Sequence, residues 1–509
     1  MDFESILFER SEDRPAEKPE LPDFFADLNL DQIVEAVIKD REEYDLKPFF
    51  WHPLKRISAI EYRHEVMQEL ERQEPARIIA AFAERMHTMR DYLARSNRLS
   101  YYLQKQRWFL DAVDVYCDAV SSLHRELSVA DLKSRGFLAF REYLKGYANS
   151  EPFGFLTEET QRLKADINAV DYRINIKGKH FTVRRGESEV DYSAEVEKTF
   201  ERFKQGDARD YQTKFSEPVE MNDLEVTILG AVAQLYPDTF NDLNEFYKQN
   251  VYFLDETITA FDREVQFYVA YLEFISSIRV AGLNFCYPEV SDTGKEICNM
   301  EGFDLALANK LLSEDRPIVY NDFSMKDKER IFVVSGPNQG GKTTFARTFG
   351  QLHYLASLGC PVQGKEAKLF LFDRLFTHFE KEETVEDLMS RLEDDLTRIQ
   401  SILSNATSSS IIIANEILTS TTFNDAVFLG KKVMESISQL DLLCVWVTFV
   451  EELASYSEKT VSMVSMVGSE DPSLRTYKIA RRPPHGLSYA TAMAEKYGLT
   501  YESLRERIK

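Results

Sequence analysis

Cysteine is scarce in this 509-residue chain. The five present, Cys117, Cys286, Cys298, Cys360 and Cys444, are scattered and form no Cys-x-x-Cys pair. That argues against a disulfide framework or a structural zinc site and suits a reducing, cytoplasmic compartment. Long apolar runs are missing as well. None approaches the ~18 residues of a membrane span, so no membrane partner is expected. The acidic start Met1-Asp2-Phe3-Glu4-Ser5 has no signal-peptide pattern. Positive charge is short: 62 Lys and Arg stand against 85 Asp and Glu, a net charge of −23. So acidic a chain is not a general nucleic-acid binder, and DNA contact requires a local basic patch. Hydrophobic residues make up 44%, enough for real cores, and the length implies about two to four domains.

Residues 1–50 read as an acidic N-terminal segment with Pro15, Pro19 and Pro22, its first twenty residues or so expected to be loose. Residues 51–290 read as a helical domain. Ile57, Ile60, Val66 and Leu70 are spaced for one buried helix face, long charged helices follow over 76–99 and 108–127, and glycine is rare. Leu254, Ile258, Phe261, Val265, Tyr268, Leu272 and Ile275 form a heptad seam that calls for a partner helix.

Near 171–187 the period switches to two. Tyr172, Ile174 and Ile176 alternate with Arg173, Asn175 and Lys177, and Phe181 and Val183 follow across Gly178. This predicts a β-hairpin turning at Lys177-Gly178-Lys179. Arg173, Lys177, Lys179, Arg184 and Arg185 are basic, with no acid between Tyr172 and Arg185, so they are the candidate DNA contacts. The same pattern fits a solvated edge hairpin guarded by Lys and Arg.

From about 291 onward, short apolar strands alternate with helices, which predicts an α/β domain with a largely parallel sheet. Strand candidates are 331–334, 368–372, 411–414 and 442–447. After the first comes Gly336-Pro337-Asn338-Gln339-Gly340-Gly341-Lys342-Thr343. It fits Gly, four residues, Gly-Lys-[Ser/Thr], and a helical pattern follows from Thr344. Glycines let successive N–H groups turn toward phosphate oxygens, and the helix start adds partial positive charge. Lys342 is expected at the β- and γ-phosphates and Thr343 on Mg²⁺. Residues 336–344 are therefore candidate ATP contacts, the alternative being a glycine-rich turn before an ordinary helix. After the strand 411–414, Asn415-Glu416 stands where such ATPases carry acids. Glu416 is the candidate to polarise the attacking water, and Asn415 a candidate metal-side group that brings no charge.

Gly-Pro-Asn-x-Gly-Gly-Lys-Thr resembles the phosphate loop of the MutS family of DNA mismatch-repair ATPases. So do the sequel Leu358-Gly359-Cys360-Pro361-Val362, the segment Phe372-Asp373-Arg374-Leu375-Phe376-Thr377, and the closing stretch 485–504. Ser390 falls where the family has its signature serine. The resemblance covers about residues 317–509. It implies a P-loop ATPase domain of the ATP-binding-cassette type over 291–509, ending in a helical dimerisation segment. Ahead of it would lie a helical core and lever domain with a β clamp hairpin. It also implies Mg²⁺-dependent ATP hydrolysis to ADP, with Lys342, Glu416 and Ser390 catalytic. Homodimerisation through the ATPase domains and contact with duplex or branched DNA follow from the same resemblance. Departures are plain. Asn415 replaces an Asp, Phe449 a His and His378 an Arg, and the loop after Glu416 lacks the family's glycines. About 290 residues ahead of the ATPase part leave no room for full mismatch-binding and connector domains, so direct mismatch reading is not expected. Asn415 also makes hydrolysis expected to be slow, unless Asp425 replaces the missing carboxylate. The alternative function is a nucleotide-binding regulator or scaffold with little hydrolysis and no DNA contact.

Overall fold

The computed structural model describes residues 3–15, 19–178, 180–186, 220–379, 388–468, 474–483, 497–501 and 504–505. Two compact units emerge. One takes residues 1–3, 73–132 and 139–262, the other residues 4–72, 133–138 and 263–509. This grouping cuts across the segments expected to end at 50 and 290, since residues 4–72 and 263–290 group with the C-terminal part.

In the first unit, helices α1 (Gln73–Arg98) and α2 (Tyr102–Val129) match the expected charged helices within a few residues. Each buries one apolar stripe, which for α1 is Ile78, Ile79, Phe82, Met86 and Met89. Aromatic rings fill the core: Phe109 lies edge-on to Tyr247 and Phe253, and Phe140 stacks on Phe261. Strands β1 (Tyr172–Lys177) and β2 (His180–Arg185) form the expected antiparallel hairpin, and Gly178 at its turn has φ +62°. The long helix α3 (Glu256–Val280), whose residues pass from the first unit to the second after Asp262, carries the heptad seam. Its Ile258, Phe261, Val265, Tyr268 and Ile275 are fully buried, while Leu272 and, just ahead of the helix, Leu254 are half-buried.

The second unit is built on a six-stranded sheet. Its strands are β3 (Ile331–Ser335), β4 (Leu375–Phe379), β5 (Ile411–Asn415), β6 (Leu443–Val447), β7 (Thr460–Val467) and β8 (Arg475–Arg481), in the order β4-β5-β6-β3-β7-β8. All neighbours are parallel except β7 and β8. β3, β5 and β6 are buried at every position, which is why they read as unbroken apolar runs. Helices α4 (Leu305–Ser313), α5 (Lys342–Ser357), α6 (Leu388–Asn405) and α7 (Phe423–Leu440) belong to the same unit. One expectation is corrected. The run at 368–372 is not part of this sheet; strand Glu366–Phe370 belongs to a separate four-stranded sheet, and β4, a few residues on, takes the edge position. Arg374 and the bend around Asp373 separate two apolar runs that look continuous.

Residues 5–8, within the stretch expected to be loose, are not. Ser5, Ile6, Leu7 and Phe8 are buried. Ser5 Oγ donates to Glu264 at 2.6 Å, and Tyr62 and Tyr268 hydroxyls donate to the carbonyls of Ser5 and Ile6. The wholly buried Arg63 donates to Leu7 O at 3.0 Å and to Leu358 O at 2.8 Å, its guanidinium lying between the Phe8 and Phe267 rings. An orphaned buried carbonyl costs about 1–3 kcal/mol, so this one cation holds the segment against the end of α5.

Two buried imidazoles give this unit a pH dependence. His64 packs on Tyr287 and His353 on Phe349, and burial pushes both down to about 4 from an ordinary 6.5. Between those values the unfolded chain binds more protons than the folded one. The stability is complete above pH 6.5 and is lost as pH falls toward 4, costing about 2 kcal/mol per histidine at pH 5. The melting temperature should therefore fall from pH 7 to pH 5. His353→Phe, which keeps a ring and removes the titration, should flatten part of that slope.

Candidate functional site

The loop from Gly336 to Thr343 joins β3 to α5 at the carboxyl end of the parallel strands, where open α/β sheets hold ligands. Gly341 caps α5 at φ +89°, which L side chains rarely adopt. At Gly340 a Cβ would lie 2.2 Å from Ser465 Oγ; Ser465, on β7, donates instead to the Gly340 carbonyl at 2.7 Å. β7 thus backs the loop. The alternation of Val461, Met463 and Ser465 into the core was its only sequence signal.

Lys342 is only 5% exposed. Its ammonium donates to Gly336 O at 3.0 Å and Pro337 O at 3.2 Å, and lies 3.5 Å from Asn338 Oδ1 and from Glu416 Oε1. Thr343 Oγ1 donates to Asn415 Oδ1 at 2.9 Å. Lys342, Thr343, Asn415 and Glu416, distant in sequence, are therefore in one place. Beside them is a cavity of about 370 Å³, floored by Gln339 to Thr344, with Glu416 at one side and Leu307, Leu311, Ile318 and Tyr477 among its walls. A polar floor with an apolar wall suits a ligand that has a charged end and a flat apolar end. The sequence pattern gave no sign of Tyr477. Its φ is +57°, and Asn321 holds it over the loop by donating to its carbonyl at 3.2 Å while accepting from Ile479 N at 2.7 Å.

Among the described residues no group of three or more His, Cys, Asp or Glu could hold a metal alone. The Thr343 hydroxyl points its proton at Asn415, which leaves its lone pairs for a cation. That donor set fits Mg²⁺ brought in with phosphate oxygens and its own waters, not a metal held by protein alone. Asp425 does not fill in for Asn415. It accepts from Thr422 Oγ1 at 2.7 Å, and Thr422 caps α7. His378 lies 2.9 Å from Asp395 of α6. Ser390 lies in the first turn of α6; its side chain, like Lys179 and most of 485–504, is outside the described residues.

The loop after β5 does without glycines by placing Glu416 (φ +53°) and Leu418 (φ +64°) in the left-handed region. Phe449, beyond β6, is 46% exposed at the same end of the sheet.

A model of the MutS domain V matches residues 332–502. The chain is 28% identical over 189 residues to the endonuclease MutS2 of Thermus thermophilus, covering 37% of this chain and 25% of that one. With a DNA mismatch repair protein MutS of Caldanaerobacter subterraneus it shares 26% over 301 residues, 57% of this chain and 33% of the relative. With that of Orientia tsutsugamushi it shares 27% over 222 residues, 42% and 25%. Over residues 332–502, then, the chain carries a MutS domain V. The chain spans a quarter to a third of the length of these curated relatives. The amide at Asn415 accepts the hydrogen bond from Thr343 without bringing charge.

The hairpin divides its residues by face. Cross-strand pairs put Arg173 with Arg184, Asn175 with Thr182 and Lys177 with His180 on one face. The other carries Tyr172, Ile174, Ile176, Phe181 and Val183 together with Arg185. Arg185 is already committed: its guanidinium donates to Leu235 O and lies 4.8 Å from the Tyr236 ring centre. It anchors the base of the hairpin.

Leu418 tests how the left-handed loop is held. A bulky residue there carries about 1–2 kcal/mol of strain, yet its side chain is 2% exposed in the core with Trp446 and Leu453. Truncating a buried Leu costs about 2–5 kcal/mol, so burial wins. Leu418→Gly should relax the backbone and still destabilise the chain by about 3 kcal/mol. Denaturant unfolding with no loss of stability would show strain to be the larger effect.

Proposed function

We propose that this chain binds and hydrolyses ATP with Mg²⁺ and acts in the cytoplasm as a dimeric, nucleotide-gated DNA-binding protein of the MutS type. The observation that carries the reading is the convergence of Lys342, Thr343, Asn415 and Glu416 beside one cavity at the carboxyl ends of the parallel strands. On ATP binding the Lys342 ammonium exchanges the Gly336 and Pro337 carbonyls for β- and γ-phosphate oxygens. Backbone N–H groups of residues 339–343 take the remaining phosphate oxygens. Mg²⁺, when bound with the nucleotide, would be held on the protein side by Thr343, itself held by Asn415, and would supply charge neutralisation at those oxygens. Glu416, released from Lys342, accepts a hydrogen bond from the attacking water and takes its proton. The oxygen joins the γ-phosphorus, the bond to the β-phosphate breaks, and ADP and phosphate leave. In the dimer, Ser390 from the facing chain completes the γ-phosphate site. DNA contact falls to the basic face of the hairpin, Arg173, Lys177, Arg184 and the neighbouring Lys179. The relatives' names, DNA mismatch repair protein and endonuclease, support DNA as the partner.

A second reading is a nucleotide-binding regulator with little turnover. It is favoured by Asn415, which leaves Glu416 as the one carboxylate beside Thr343 and Lys342 in the motif.

Lys342→Ala should lower ATP affinity by about 1.5–3 kcal/mol, tenfold to more than a hundredfold, with an unchanged fold. A calorimetric titration showing full affinity in the folded variant would remove the site assignment. ATP bound by the parent without turnover would leave the second reading standing.

Replacing Lys177, Lys179 and Arg184 with Ala should flatten the salt dependence of DNA binding by about 0.9 in log–log slope for each phosphate that is no longer neutralised. Arg185→Ala should instead loosen the hairpin base. An unchanged slope in the triple variant would make the hairpin a solvated edge and nothing more.

A further inference from the structure

The segment from Pro22 to Asn29 lies across the elements that surround the loop. Phe24 and Phe25 pack edge-on to Tyr354 of α5. Leu28 is fully buried, and its side chain occupies the space a Cβ at Gly350 would need. Arg347 Nε and Gln351 Nε2, on the same face of α5, donate to the carbonyls of Asp27 and Leu28 at 2.9 Å each. Gln351 also donates to Asp304, which caps α4 and lines the cavity. The far side of the segment holds β4 and α6. Asp27 Oδ2 accepts from Thr377 Oγ1 at 2.5 Å, and Arg398 Nη2 lies 3.5 Å from the same oxygen. Arg398 closes the ring by donating to Thr377 O at 3.0 Å.

The Asp27 side chain thus joins strand β4 to helix α6, while its own carbonyl is tied to α5. No part of the ATPase motif includes it. We propose that Asp27 is a positioning residue: it transmits nucleotide binding at the start of α5 to β4 and α6. The coupling is mechanical. Lys342 and Arg347 sit just over one turn apart on the same helix, so a shift of α5 on phosphate binding moves the donor to Asp27. The Asp27 carboxylate is charge-assisted on its Arg398 side and short on its Thr377 side, so the segment cannot move without α6. A helix carrying Ser390 would then respond to nucleotide before any second chain arrives. The inference rests on the nucleotide reading of the loop.

The experiment is hydrogen exchange of the full chain with and without ATP and Mg²⁺, read over residues 392–405, alongside calorimetric ATP titration and thermal melting. In the parent, ATP should slow exchange in that helix by about threefold or more. In Asp27→Ala the slowing should vanish while ATP affinity stays within about twofold, a split that a merely structural role would not give. Asp27→Asn, which can still accept from Thr377 but loses the charge facing Arg398, should keep part of the effect. It also serves if the alanine variant does not fold. A full ATP effect on the helix in both variants overturns the proposal, as does loss of affinity and stability together. So does a parent that binds ATP with no change in the helix. Absence of ATP binding by the parent overturns the site reading itself, and the titration separates that case from the others.

Discussion

An ammonium almost wholly removed from water has to be surrounded by oxygens, and Lys342 sets this demand in the loop after β3. The carbonyls of Gly336 and Pro337 meet it only because the loop curls back on itself. The curl needs Gly341 left-handed and Gly340 without a side chain, since Ser465 presses from β7. β7 in turn must lie parallel to β3, which places β6 and β5 on the other side and brings Asn415 and Glu416 to the cation's far flank. The sheet order and the loop geometry are therefore one constraint, and a phosphate group offers the same oxygens with more charge.

Much of this was legible in the chain itself. β3, β5 and β6 are buried on both faces, so they appear as runs of Ile, Val and Leu that need no partner to be recognised. The loop announces itself by its glycines and Lys342. β7 and β8 were not legible: in β7 Ser and Met interrupt the apolar run, and β8 is largely polar, with Ile479 its one buried position. β4 was hidden beside a stronger apolar run a few residues earlier. Residues 5–8 were obscured by the acidic stretch around them. Their burial depends on Arg63, Glu264 and Tyr268, and no local pattern encodes a partner so far away. Asp27 shares that fate: its neighbours Thr377 and Arg398 lie hundreds of residues downstream.

The amide at Asn415 reshapes the balance of charge around the cavity. A carboxylate there would compete with Glu416 for Lys342 and for any metal. With the amide, the lysine sits against a single carboxylate, and Thr343 still has an acceptor for its proton. The cost falls on the metal, which finds fewer anionic oxygens on the protein and depends more on those of the phosphates.

The buried segment at residues 5–8 also bears on how the chain is made. Ser5 emerges 259 residues before Glu264, and Leu358, whose carbonyl shares Arg63 with Leu7, comes 295 residues after that arginine. At ribosomal speeds of about 5–20 residues per second, Ile6 and Leu7 wait roughly a quarter of a minute to more than a minute for their binding groove. During that interval an apolar stretch is solvent-facing on a nascent polypeptide. This unit is therefore sealed by material synthesised early and captured only once the α5 region has been made.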